Sequence, residues 1–217
     1  VDRILHMRDK VGPDFFITDD YRVLLERSDI DAVFICTPDH LHEEHVLAAM
    51  EAGKAVYLEK PMAITIEGCD RILDAAEKWN ARLYLGHNLR FFAVVQKMKG
   101  LIDAGRIGQV QAIWYRHFIS YGGDAYYRDW HSERQYTHGL LLQKAAHDID
   151  IIHWLGGAYT HRIVGMGKLS VYDHLPRRNP EEPVPRVEFN PKNWPPKKTS
   201  GYSPTIDVED HNMLLLN

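Results

Sequence analysis

Apolar residues fall along the first ninety positions in two alternating rhythms. Short unbroken runs, Phe15-Phe16-Ile17, Ala32-Val33-Phe34-Ile35-Cys36, Ala55-Val56-Tyr57-Leu58 and Leu83-Tyr84-Leu85, have the length and residue types of strands. Between them apolar positions recur at helical spacing. Val1 to Lys10 reads as the tail of an amphipathic helix, ended by Gly12-Pro13. Tyr21 to Glu26 is expected to turn Val23, Leu24 and Leu25 inward, and His42 to Ala52 to bury Val46, Leu47 and Met50 before Gly53. Thr65 caps a longer helix to about Trp79, with Ile66, Cys69, Ile72, Leu73 and Ala76 on one stripe. Strand and helix in strict alternation predict a parallel sheet with right-handed crossovers. The run Ala32 to Cys36 is apolar on both faces, as a strand covered by helices on both sides must be.

After Asn88 the character changes. Phe91 to Ala104 reads as a helix with Val94, Val95, Met98, Leu101 and Ile102 inward, and Val110 to Phe118 as a strand. Ser120 to Thr137 is a long loop rich in Tyr, Gly, Asp and Trp, of a length that is usually functional. His138 to Leu155 is a helix closed by Gly156-Gly157, and Arg162 to Val171 a strand. Asp173 to Pro204 is a proline-rich surface excursion, and Thr205 to Leu216 a final strand or two. The expected architecture is a Rossmann-like parallel sheet over residues 1–88, then an α+β domain over 89–217 with a mostly antiparallel open sheet. A nucleotide-binding sheet opens with a strand and a glycine-rich turn, and this chain holds no G-x-G-x-x-G. It is therefore expected to lack that first strand and loop, as a fragment of a longer protein would.

Composition narrows the field modestly. Of 217 residues 45 % are apolar and 26 % charged, and the net charge of -4 makes no case for nucleic acid. No run is apolar and long enough to span a bilayer. Two cysteines make no disulfide framework. Cys36, in a strand that reads as buried, suits a reduced cytoplasmic thiol.

The chemistry gathers in two places. Glu59-Lys60-Pro61 ends a strand, and Pro61 restricts Lys60 to extended geometry and allows a cis bond. A lysine there can bind a substrate oxygen or trade a proton if its pKa is lowered; a surface lysine beside a turn proline is the plain alternative. Thr37-Pro38 would offer a hydroxyl and backbone edge to a nucleotide, or is simply a turn. His40, His42 and His45 invite a metal, but His42-Glu43-Glu44-His45 lacks the His-Glu-x-x-His spacing that puts two ligands on one face, so polar contacts in the loop and helix cap are expected and no metal. The second place is Gln143-Lys144-Ala145-Ala146-His147-Asp148-Ile149-Asp150. Gln143 and His147 share a helical face, as do Lys144 and Asp148. A histidine oriented by a carboxylate is a general acid/base arrangement; a solvated helix face is the alternative.

In order, Asp31-Ala-Val-Phe-Ile-Cys-Thr-Pro-Asp-His-Leu-His42, Ala48-Ala-Met-Glu-Ala-Gly-Lys54, Glu59-Lys-Pro61, Gly86-His-Asn-Leu-Arg-Phe91, Gly105-Arg-Ile-Gly108 and His147-Asp-Ile-Asp150 resemble the glucose-fructose oxidoreductase, inositol dehydrogenase and MocA family. The resemblance implies a two-domain enzyme with NAD or NADP, a sugar or polyol substrate, and a dimer or larger homo-oligomer. It implies cofactor contacts at Thr37, Pro38, His40, Glu59, Lys60 and Asn88, catalytic roles for Lys60 and His147, and substrate contacts at Arg90, Tyr126, Trp130 and Gln143. Many members carry an aspartate where this chain has Gln143, so either Lys144 takes over the polar work as a third catalytic residue, or the chemistry or substrate differs from that of the sugar and inositol dehydrogenases. Two further readings stay open: a glycosidase that uses NAD for transient oxidation, and a cofactor-binding sensor without catalysis.

Overall fold

The computed structural model describes residues 15–119, 123–184 and 201–217. The helix expected over Val1 to Lys10 and half of the proline-rich stretch, residues 185–200, lie outside these. Three strands, β1 (Ala32–Ile35), β2 (Ala55–Leu58) and β3 (Leu83–Leu85), form a parallel sheet in the order β1-β2-β3. Helix α1 (Tyr21–Leu25) precedes it, α2 (His42–Glu51) crosses from β1 to β2, and α3 (Ile66–Lys78) from β2 to β3. Asp20 caps α1 by accepting from the Arg22 N–H, and Thr65 caps α3 by accepting from the Gly68 N–H. The core between sheet and helices is Ile35, Val46, Ala49, Met50, Val56, Leu58, Ala63, Ile72 and Ala75.

Several burial expectations fail in one direction. Phe34 is 74 % exposed and Cys36 is exposed, so β1 is covered on one face only. On the open face Phe34, Tyr57 and Tyr84 stack across the three strands, with ring centroids 4.9 and 5.3 Å apart. Ile66 and Leu73 point outward, because α3 sits on the core through Ile72 and Ala75 and the helix rotates to favour them. In α1 Val23 is exposed, and Leu25 alone of the expected three packs on the core.

The remainder begins with a 3-10 turn, Asn88–Phe91, and α4 (Ala93–Asp103), which buries none of its residues. Val94, Met98 and Leu101, expected inward, are exposed. Val110 to Phe118, expected as a strand, has no ladder partner among the described residues, and Trp114 is 97 % exposed. Phe15 to Ile17 is likewise not a strand. Residues of strand type form strands only where a second strand meets them. The loop expected after Ser120 contains short helical turns, Gly123–Tyr127 and Trp130–Ser132, and the one-turn α5 (Arg134–Thr137). Then come the long helix α6 (Leu140–Gly156) and an antiparallel pair, β4 (Ile163–Lys168) with β5 (His211–Leu216), in which Met166 faces Met213. Helix α6 starts later than its sequence suggested. His138 and Gly139 have φ of 62° and 136°, and a Cβ at 139 would meet Arg134 and Glu209 at 3.0 Å.

Candidate active site

All three parallel strands end at the same edge of their sheet, and the polar turns of the sequence follow them there. β1 leads to Thr37, Pro38 and a one-turn 3-10 helix, Asp39–Leu41; β2 to Glu59, Lys60 and a cis bond to Pro61; β3 to Gly86, His87 and Asn88. Gly86 approaches so closely that a Cβ would lie 2.7 Å from the Tyr57 hydroxyl. His42, fully buried, ties the first two turns together. Its ring nitrogens sit 2.7 Å from the Pro61 carbonyl oxygen and 3.0 Å from that of Thr37. The sequence suggested a polar contact for this histidine, and its place at the junction of two strand ends comes from the fold.

Helix α6 crosses this edge. Lys60 Nζ donates to the Gln143 main-chain oxygen at 2.5 Å, joining residues 83 positions apart. The helix is fixed from its N-terminal end by Glu209. One carboxylate oxygen accepts from the Leu141 N–H at 2.7 Å, and the other pairs with Arg134 at 3.0 Å. This satisfies a free N–H of the first turn and complements the helix dipole.

Lys60 and the Gln143, Lys144 and His147 stretch of α6 are therefore brought to one edge of the sheet. Burial is the largest influence on His147, and the charges of Lys60, His87 and Lys144 add to it, pushing its pKa down to about 4. Burial also lowers the pKa of Lys60, with Asp39 opposing. His87 stands edge-on to His147, ring centroids 6.1 Å apart, and its own pKa is lowered by burial against the pull of Asp150. Beside His147, Asp148 accepts from the Tyr115 hydroxyl at 2.9 Å and lies 3.0 Å from His117 Nδ1.

Among the described residues six buried side-chain atoms have no hydrogen-bond partner, and five of them belong to this region: Asp39 Oδ2, His40 Nδ1, His87 Nδ1, Gln143 Oε1 and His147 Nδ1. Buried polar groups are ordinarily paired. Such a concentration of unmet donors and acceptors around an ammonium group fits a ligand rich in hydroxyl and amide groups, and so fits both a nicotinamide and a polyol.

The other expected site residues are distributed as follows. The Thr37 hydroxyl lies 3.1 Å from His45 Nδ1, and a Glu59 carboxylate oxygen accepts from the Lys60 N–H. His40 packs against Tyr136 and Trp130, and Trp130 stacks on His131 with centroids 3.7 Å apart. Tyr126 lies under the Lys144 ammonium at 5.6 Å from its ring centroid. Asn88 is exposed at the end of β3. The Arg90 guanidinium is held by Asp150 through two hydrogen bonds, of 2.5 and 2.7 Å, and lies over Trp154. That places it as a brace between the turn after β3 and α6 rather than as a free substrate contact. Asp39 and His87 were not singled out in the sequence. The signal for both was adjacency, since each follows a strand of the parallel sheet within a few residues. Among the described residues no three His, Cys, Asp or Glu side chains are grouped to hold a metal ion, and no helix is long and apolar enough to cross a membrane.

A parallel sheet with its polar groups at the strand ends, and a histidine-bearing helix laid across them, form the layout in which open α/β sheets hold a ligand. The oxidoreductase family with an NAD-binding Rossmann fold matches residues 3–87, and the GFO/IDH/MocA C-terminal domain matches residues 95–217. The chain belongs to this family. It is 36 % identical over 139 residues to a 1-carboxy-3-chloro-3,4-dihydroxycyclohexa-1,5-diene dehydrogenase of Comamonas testosteroni, covering 63 % of this chain and 34 % of that protein. It is 30 % identical over 137 residues to inositol 2-dehydrogenase of Salmonella typhimurium, covering 63 % and 38 %. Among solved structures it superposes on scyllo-inositol dehydrogenase of Lactobacillus casei, with bound NAD(H) and scyllo-inositol, at a TM-score of 0.66 and 27 % identity, covering 80 % of this chain and 52 % of that one. The chain thus spans well under half the length of the curated relatives it matches.

Proposed function

We propose that the full protein is an NAD(P)-dependent oxidoreductase that moves a hydride between the nicotinamide and a secondary hydroxyl of a sugar or polyol, inositol-like in carrying its hydroxyls on a ring. The observation that carries this reading is the group of unpartnered buried polar atoms around Lys60 and His147. The names of the relatives support the substrate class, since inositol and a dihydroxycyclohexadiene both present ring hydroxyls. Thr37, Pro38, His40, Glu59, Lys60 and Asn88 would hold the cofactor, which supplies a hydride acceptor or donor.

The rest falls to the chain. With its pKa near 4, His147 is neutral at physiological pH and accepts the proton of the reacting hydroxyl. Lys60 stabilises the alkoxide that develops. The two roles are linked, because Lys60 is the charge that depresses His147 most. As the alkoxide offsets the ammonium charge, the proton affinity of His147 recovers at the moment it is needed. Lys144, Gln143, Tyr126 and Trp130 hold the substrate hydroxyls, and Arg90 braces α6 through Asp150. Turnover of a panel of inositols and sugars, followed by absorbance of the reduced nicotinamide, tests this in the full-length protein. Lys60→Ala and His147→Ala are each expected to lower kcat by about 100-fold or more on whichever substrate turns over, and undiminished turnover in either would sink the reading.

We also propose that residues 1–88 serve the cofactor and 89–217 the substrate and the subunit contact, in a cytoplasmic homo-oligomer. Ile163, Val164, Met166, Met213 and Leu215 are all exposed on the β4–β5 pair, an apolar surface larger than scattered single residues make. Light scattering is expected to give the mass of a dimer or tetramer, reduced by Met166→Glu. A monomeric wild-type mass overturns it. Free thiols at Cys36 and Cys69 suit the reducing cytoplasm.

A further inference from the structure

Asp39 opens the short 3-10 helix after β1 and is only 4 % exposed. Its Oδ2 has no hydrogen-bond partner. A carboxylate in such a place is costly unless a counter-charge is near. Lys60 is that counter-charge. β1 and β2 pair in register, Ile35 beside Leu58, so the turns carrying Asp39 and Lys60 leave the sheet side by side.

The relation is reciprocal. Burial drives the pKa of Asp39 up to about 6, and Lys60 is the charge that opposes this most, ahead of His131. Burial lowers the pKa of Lys60, and Asp39 is the charge that opposes this most, ahead of Glu59 and Asp148, while Lys144 works with burial. His40, the next residue, packs on Tyr136 and Trp130. Gln143 gives Lys60 a main-chain oxygen but no charge.

We propose that Asp39 is a positioning residue for Lys60: its buried carboxylate keeps the Lys60 side chain an ammonium, held at the strand ends beside the Gln143 carbonyl. Without it, a half-buried lysine facing Lys144 would release its proton more readily. The consequence for catalysis rests on the role given to Lys60 above, but the electrostatic relation does not.

The test uses the full-length protein without cofactor or substrate. Acetylation of Lys60 by acetic anhydride is measured across a pH series by peptide mass spectrometry, and its midpoint reports the lysine's titration. In Asp39→Asn the midpoint is expected to fall by about one pH unit, and to return toward the wild-type value in Asp39→Glu. An unmoved midpoint in Asp39→Asn overturns the proposal. The reciprocal arm needs no change at Asp39. In Lys60→Met, carbon-13 NMR of labelled aspartate is expected to show Asp39 titrating higher than in wild type, and an unchanged titration overturns the proposal even if Asp39→Asn fails to fold. Neither readout requires turnover. A protein inactive on every polyol would sink the proposed reaction and leave Asp39 standing, whereas an active enzyme whose Lys60 ignores Asp39 would sink this inference alone.

Discussion

His147 should make the protein acid-sensitive by an amount that follows from its burial. In the unfolded chain it titrates near its ordinary 6.5, and in the fold near about 4. The folded state therefore binds the proton less readily than the unfolded one. The fold keeps its full stability above pH 6.5 and loses it as pH falls, until both forms are protonated below pH 4. Each unit of separation is worth about 1.4 kcal/mol, so the whole window costs about 3 kcal/mol. By pH 5 the unfolded histidine is almost fully charged and the folded one still mostly neutral, so about 2 kcal/mol is already lost. The variant to compare is His147→Gln, which keeps a polar side chain of similar reach and does not titrate. Urea unfolding at pH 7.5 and pH 5 gives four free energies. Wild type should lose about 2 kcal/mol more than the variant between the two pH values. His40, His42, His45 and His87 have pKa values lowered by burial as well, and their shared contribution largely cancels in the difference. Parallel losses in the two proteins would refute the reasoning, since they would mean His147 reaches water in the fold.

Two further predictions concern the same helix. Lys144 is one of the charges that depress His147, so Lys144→Met should raise the acid limb of the kcat/KM profile by about half a unit; an unmoved limb would show that Lys144 does not act on the base. Glu209→Ala frees the Leu141 N–H and the Arg134 guanidinium together. It should cost about 1–2 kcal/mol in urea unfolding and lower kcat through the loosened helix, and an unchanged unfolding midpoint would count against the capping role.

The parallel sheet was legible because its strands announce themselves locally. Ala55 to Leu58 and Leu83 to Leu85 are apolar runs bounded by turn residues, and the structure reproduces both ranges. Thr65 announced its helix by the same local chemistry. Val110 to Phe118 carries equally strong strand residues yet forms none, because a strand needs a second strand beside it and the run does not say whether one arrives. From their own neighbours Lys60 reads equally as a surface lysine and His147 as part of a solvated helix face; only the ordered motifs taken together, and the family they resemble, single them out. Asp39 was not singled out even so, because its importance lies in being buried next to a lysine 21 positions away. His42 was visible as a histidine among histidines. What sets it apart is that it spans two carbonyl groups from different strand ends, and no spacing along the chain expresses that.

Glu209 holds the N-terminal end of α6, and two residues later the chain enters β5, on which Met213 and Leu215 stand exposed. A push or a pull on that strand is delivered within one short step to the helix bearing His147. The outer sheet is thereby coupled mechanically to the helix that carries His147. Anything that seats on β5 bears on the same carboxylate that caps α6, so the set of that helix over the strand ends would follow the occupancy of the outer sheet.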